Sequence, residues 1–188
     1  MPKQKITKEM VVDAAFALAR TGGMEQVMVK SIAKKLGCSV QPIYSYCKNM
    51  DSLRSDVEQR SRQFVQKYFT EHIDKENPFQ SVGRAHIQLA KEEPHILKIF
   101  TLQARKNISS MEELYQSETN PQMAQGIANA LNISLEKAKQ LHLDMLIYTI
   151  GISTIFSVTT PGIPAEEIYS QQERAYKLFL KAAQEGNL

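Results

Sequence analysis

Residues 29–48 read VKSIAKKLGCSVQPIYSYCK, two short amphipathic stretches on either side of Gly37-Cys38-Ser39. The first carries Val29, Ile32, Ala33 and Leu36 at helical spacing, which leaves Lys30, Lys34 and Lys35 on the opposite side. Gly37 ends it. Ser39 is placed to cap a second short helix, with Pro42 at its third position, where a missing N–H has no intrahelical acceptor to lose. Ile43 and Cys47 form the inward edge of that helix. Two short helices joined by a three-residue turn containing glycine meet the requirement of a helix-turn-helix. Ala33 is small enough for the second helix to cross closely over the first. Gln41, Tyr44, Ser45 and Tyr46 are left facing outward. Such side chains hydrogen-bond base edges and stack on sugars or thymine methyls. Lys48 lies just before the next helix, where a cation beside a helix N-terminus clamps phosphate.

The flanking sequence continues in helices. Upstream, Thr7 reads as an N-cap and Glu9 suits the first turn. Ile6 can staple onto Val11, and Gly22-Gly23 stop the helix as an αL cap would. Downstream, Asn49 caps a long helix reaching about His72. Further helices are expected at about 79–91 and 94–106, with one or two pieces between 109 and 131. Ser134 caps a helix to about Val158. After the turn Thr159-Thr160-Pro161-Gly162, a last helix carries Ile168, Gln172, Ala175, Tyr176 and Phe179 in register. No convincing alternation of period two appears, so an all-α chain is expected.

Charge separates the two ends. The first 50 residues hold eight basic and three acidic side chains, a net +5 in a chain whose total is +3. A basic head on a slightly acidic body is the electrostatic footprint of a nucleic-acid reader, although a solvated helix surface has the same composition. The 188 residues are 43% hydrophobic and 23% charged, which excludes a disordered chain. Two cysteines make neither a disulfide framework nor a zinc spacing. The four histidines, at 72, 86, 95 and 142, form no close ligand pair. No nucleophile motif or phosphate loop is present, so neither an enzyme nor a metal site nor a cofactor is expected. The basic start is followed by a mixed helical pattern instead of an apolar block, so no export signal is expected. The most apolar window, 145–158, is too short and interrupted for a membrane span. A reduced, cytoplasmic setting is the expectation.

Residues 7–57 resemble the N-terminal DNA-binding domain of the TetR/AcrR family of bacterial repressors. The resemblance rests on ITKEMVVDAAFALARTGGMEQV and SIAKKLGCSVQPIYSYCKNMDSL. Within these, Ala14-Ala15, Gly22-Gly23, Ile32-Ala33, Leu36-Gly37, Ser39, Ile43, Tyr44, Lys48 and Leu53 stand where the family pattern has them. The resemblance implies that Gln41, Pro42, Tyr44, Ser45 and Tyr46 face the major groove. It implies that Ser39, Tyr44, Lys48 and Lys30 meet the phosphate backbone, with Lys3 and Lys5 as a basic arm. Two residues depart from the family. Met28 replaces a capping Thr. Cys47 replaces an aromatic, leaving volume for Met50 or Phe64. The implied architecture is a three-helix DNA-binding domain at 1–50, then a helical ligand-binding and dimerisation domain at 51–188, about nine helices in all. LHLDMLIYTIGIST and PAEEIYSQQERAYKLFL also resemble, in part, the C-terminal half of one TetR-like subgroup. Leu146 and Ile150-Gly151 stand where that subgroup has an aromatic and a His-Gly.

In the second domain residues 135–158 are apolar nearly all round, the pattern of a helix buried on both sides. One side can face the core and the other a second copy, in a two-fold four-helix contact drawn from Tyr148, Ile152, Ile155, Phe156, Ile168, Gln172, Tyr176 and Phe179. Phe100, Leu102, Met111, Tyr115, Met123 and Tyr148 are candidates for an apolar effector pocket, or plain core. Arg84 and Arg105 are the candidate anion clamps. Two recognition helices one DNA turn apart, about 34–36 Å, would read a palindromic operator. The expected function is a homodimeric, sequence-specific regulator of double-stranded DNA, released by a small apolar effector. The alternatives are a helical protein-interaction module and a constitutive DNA binder. Cys38 and Cys47 are either small core packers or a redox pair.

Overall fold

A computed structural model describes residues 6–47, 49–74, 76–101, 107–159 and 162–185. Among them are ten α-helices, one more than the expected nine, a short 3₁₀ turn at Met24–Gln26, and no strand. The helices are α1 (Lys8–Gly22), α2 (Val29–Leu36), α3 (Gln41–Tyr46), α4 (Met50–His72) and α5 (Pro78–Glu92). They continue as α6 (Pro94–Thr101), α7 (Met111–Glu118), α8 (Pro121–Leu131), α9 (Leu135–Val158) and α10 (Ala165–Glu185). Two compact units result. The first comprises Met1–Glu71 and Glu93–Leu102, the second His72–Glu92 and Gln103–Leu188. The first unit therefore extends past residue 50, taking in most of α4 and also α6.

In the first unit Thr7 caps α1, its hydroxyl accepting from the Met10 N–H at 3.2 Å. Val11, Ala14, Ala15 and Ala19 turn inward, and the small alanines let neighbouring helices approach closely. The core adds Ile32 and Ala33 from α2, Ile43 from α3, Leu53 and Val57 from α4, and Ile96 and Ile99 from α6. Gly23 ends α1 at φ 85°, but with ψ 170°, so the stop is an extended glycine turn and not the expected αL cap. Gly37 is αL, at φ 63° and ψ 32°. The Cys38 N–H reaches the Ala33 carbonyl and the Gly37 N–H that of Lys34, the two bonds of a Schellman stop. α4 starts where expected, with the Asn49 side chain accepting from the Ser52 N–H at 2.8 Å. Arg20 is locked to the nearly buried Glu93 just before α6. Its Nε donates to both carboxylate oxygens at 2.9 and 2.8 Å, and its guanidinium lies 4.9 Å from the centre of the Phe64 ring.

The second unit is organised about α9, which packs against α5, α8 and α10. Its Ala138, Leu141 and Met145 meet Ile127 and Ala128 of α8, with Phe79, Tyr176 and Phe179 closing the cluster. Ser134 caps α9 as expected, accepting from the Lys137 N–H. Within the single chain α9 is covered on one side only. Ile147, Ile155 and Val158 are 47%, 61% and 59% exposed, because in this single chain only one side of α9 has helices to pack on. α9 is long enough to span a membrane, and an 18-residue window within it is apolar enough, with a mean hydropathy of 1.5. Its buried face is the core of this unit, which accounts for that composition.

Two glycines give opposite predictions. A Cβ at Gly37 or at Gly126, within α8, would meet no atom within 4 Å. At Gly37 the left-handed backbone is the only cost, so Gly37→Ala is expected to destabilise by about 1 kcal/mol. Gly126→Ala, in an ordinary helix, is expected to stabilise by about 0.5–1 kcal/mol. Urea unfolding followed by far-ultraviolet circular dichroism reads both.

Candidate functional site

The surface formed by α2 and α3 is built on a buried edge. Ile43 is 1% and Cys47 5% exposed, and both lie in the first unit's core. Met50 and Phe64 pack against that same core. Burial pushes the Cys47 thiol pKa up, with Asp56 adding to the effect, so the group stays a protonated packing element. With this edge buried, α3 turns Gln41, Tyr44 and Ser45 outward, and Tyr44 is 63% exposed. Lys30, Lys34 and Lys35 of α2 are exposed as well, as is Ser39 in the turn. Lys48, Lys3 and Lys5 lie outside the described residues.

Three local expectations change. Ser39 does not cap α3: the residue before the helix is Val40, in αR backbone and without a side-chain cap bond. Pro42 consequently falls within the first two helical positions, still free of any acceptor to lose, and is only half-buried. Tyr46 is not free to point at a groove. Its hydroxyl donates to the Ile6 carbonyl at 2.7 Å, tying the end of α3 to the segment before α1. Met28, the departure from a capping Thr, makes no side-chain cap bond to α2 and is 51% exposed. Sequence reading missed Val40, which is 39% exposed at the start of α3. Its signal was a β-branched residue directly after the turn.

The second unit contains a cavity of about 100 Å³ walled by α5, α9 and α10. Gln172 of α10 is its central polar group: Nε2 donates to Thr149 Oγ1 of α9 at 3.1 Å. The Gln172 amide fits against α5 because residue 83 is glycine; a Cβ there would collide with the amide nitrogen. His142 lines the cavity, and its Nδ1 meets the Tyr115 hydroxyl at 2.9 Å. Burial lowers the pKa of His142 and raises that of Tyr115, which favours the neutral form of both. His86, also in the wall, is held by burial at a pKa of about 4.

Of the expected pocket residues that are described, Met123 lines this cavity, as does the candidate anion clamp Arg84. Tyr115 stands behind it, holding His142. Met111 is 51% exposed, because the short α7 presents it to solvent. The Tyr148 ring packs against Phe179 instead, with its hydroxyl on the Gln171 carbonyl. Phe100 belongs to α6 of the first unit, and its side chain, like Leu102 and Arg105, lies outside the described residues. Of the expected self-contact residues, Phe156, Ile168 and Gln172 are 7%, 3% and 6% exposed, because each is taken up by the packing of its own chain. Tyr176 walls the cavity. Ile155 is the exposed one, and Tyr148, Ile152 and Phe179 are half-buried. The polar cavity residues escaped sequence reading because a lone Gln and Thr on apolar helices carry no spacing signal.

Two solved structures share this architecture. One is a transcriptional regulator from Rhodococcus sp. Rha1, 14% identical, with a TM-score of 0.60 over 94% of this chain and 97% of that one. The other is a TetR-family transcriptional regulator from Haemophilus influenzae, 19% identical, with a TM-score of 0.55 over 90% and 94%. Likeness at such identities establishes the fold, and the chain has the all-helical fold of TetR-family regulators. No protein-family model and no curated protein sequence matches it.

The buried histidine makes a pH prediction. An unfolded imidazole titrates near 6.5, whereas folded His86 titrates at about 4. Between these values the unfolded chain binds more protons, so the stability linked to His86 is complete above pH ~6.5 and is lost as pH falls toward 4. Lowering the pH from 7 to 5 is expected to remove about 2 kcal/mol through this group alone. Urea midpoints of wild type and His86→Leu at the two pH values check this, the variant losing less.

Proposed function

We propose that the chain is a sequence-specific, double-stranded-DNA-binding transcriptional regulator, acting as a homodimeric repressor that a small molecule releases from a palindromic operator. The observation that carries this reading is the α2–α3 surface: exposed Lys30, Lys34, Gln41, Tyr44 and Ser45 on a helix-turn-helix within a TetR-like fold. The lysines supply phosphate contacts, and α3 supplies base-edge hydrogen bonds and contacts to thymine methyls. The Rhodococcus and Haemophilus neighbours, both regulators by description, support the same class. No catalytic role is assigned.

The homodimer is supported by an unpartnered apolar stripe. Ile147, Gly151, Ile155 and Val158 recur on one face of α9, and all four are exposed. Leu178 of α10 is 59% exposed. A two-fold contact makes such a patch its own partner, and contiguous exposed apolar area of this kind marks an interaction surface. A ligand that binds one state of the dimer better than the other shifts the equilibrium between states of different operator affinity.

Two experiments test this. Selection from a random duplex library, followed by titration at several salt concentrations, should give binding whose log–log salt slope is about −0.9 per neutralised phosphate. Tyr44→Ala should weaken binding about tenfold or more, and Lys34→Ala should reduce the slope by about one. Binding to no duplex would reject the DNA-reading surface and leave a protein-interaction module. Separately, light scattering on the wild type should report twice the chain mass, and Ile155→Glu should report the chain mass itself. A wild-type monomer would reject the self-contact.

A further inference from the structure

The chemistry of the cavity in the second unit is narrower than an effector site requires. Its buried polar groups are all uncharged. Gln172, Thr149 and His142 are 6%, 7% and 8% exposed, and burial keeps both His142 and His86 neutral. The two charged residues in the lining, Arg84 and Glu173, are exposed and of opposite sign. Arg84 lies 6.0 Å from the centre of the Tyr169 ring. Glu173 pairs with Lys177 at 3.0 Å. A charged head seated beside Gln172 and Thr149 would give up its hydration among buried groups that carry no counter-charge, which is unfavourable.

A head group does find partners there. The bond from Gln172 to Thr149 uses one amide hydrogen. A carboxamide carries a second hydrogen and a carbonyl oxygen, so it offers a ligand both a donor and an acceptor. The space continues beyond this point. A groove of about 430 Å³ adjoins the cavity, sharing Phe79, Gln80, Met123 and Tyr176 as walls, and it runs along Ile127 and Leu131. That lining is mainly apolar in area and also includes Glu76, Asn77, Asn120 and Gln122.

We infer that this cavity and groove bind an uncharged amphiphile, with an amide or alcohol head at Gln172 and Thr149 and an apolar body lying between Phe79, Met123 and Tyr176. Its regulatory consequence rests on the effector reading above; the binding itself does not. Gly83 makes the site testable without dismantling it. A methyl at residue 83 displaces the end of a flexible glutamine side chain, and no backbone stands in its way.

Isothermal titration of the full chain at pH 7 would compare octanamide and octanol with octanoate and octylammonium. The flexible octyl tail follows the groove whatever its curvature, and octanamide and octanoate are nearly isosteric. Octanamide is expected to bind about tenfold or more tightly than either charged probe. Gly83→Ala and Gln172→Leu should each weaken octanamide about five- to tenfold while leaving the thermal melt within a few degrees of wild type. Equal or better binding of a charged probe overturns the inference. So does octanamide binding that neither substitution alters, which would put the tail on the exposed face of α9. No heat with any probe at either of two well-separated temperatures overturns the site altogether, because apolar burial carries a heat-capacity change that makes heat appear at one of them. If octanamide binds as expected and the protein stays on its DNA, the site stands and the effector reading above falls.

Discussion

A helix of six residues has almost no stability of its own in water, because nucleation orders several residues for few hydrogen bonds. α3 is such a helix, and the outward face of the helix-turn-helix depends on the burial of its one apolar edge. Ile43 and Cys47 enter a core shared with α1, α2, α4 and α6. The Tyr46 hydroxyl ties its end to the Ile6 carbonyl. The Schellman stop at Gly37 sets the direction in which the chain leaves α2. With these constraints met, Gln41, Tyr44 and Ser45 are outward by helical geometry alone.

The same core explains why α6 belongs with the first unit. Ile96 and Ile99 are buried there, and Arg20 is paired with Glu93 immediately before the helix. A carboxylate 8% exposed is costly to desolvate, and the two-oxygen contact from Arg20 offsets that cost. Removing Arg20 alone would leave a nearly buried charge without its guanidinium, which is why such pairs behave as single units in a core.

In the second unit the problem is different. α9 is apolar on nearly every side, yet its buried face carries His142, Thr149 and Ser153 among the hydrocarbon. Two of these are satisfied by side chains from other helices: His142 by Tyr115, Thr149 by Gln172. Buried polar groups in such pairs orient the helices that carry them and leave directional hydrogen-bonding capacity beside an otherwise apolar space. In its C-terminal half the exposed face of α9 carries Ile147, Gly151, Ile155 and Val158. One helix thus presents a specific polar lining on one side and an undirected apolar stripe on the other.

Local chemistry made much of this legible from the amino-acid sequence. The caps at Thr7, Asn49 and Ser134, the stop at Gly37 and the inward spacing of Ile32, Ala33 and Ile43 depend on residues within a few positions of one another. They determined the all-helical class, the helix-turn-helix and its outward residues. Three things waited for tertiary structure. Tyr46 is held by a carbonyl 40 positions away. Gln172 finds Thr149 across 23 residues, in space opened by Gly83. Phe156 and Ile168 are interior, while Ile147 and Val158 are outside, although all four are equally apolar in sequence. Periodicity reports which residues share a face of one helix. Which face meets a neighbour, and what that neighbour brings to it, is decided only when the helices pack.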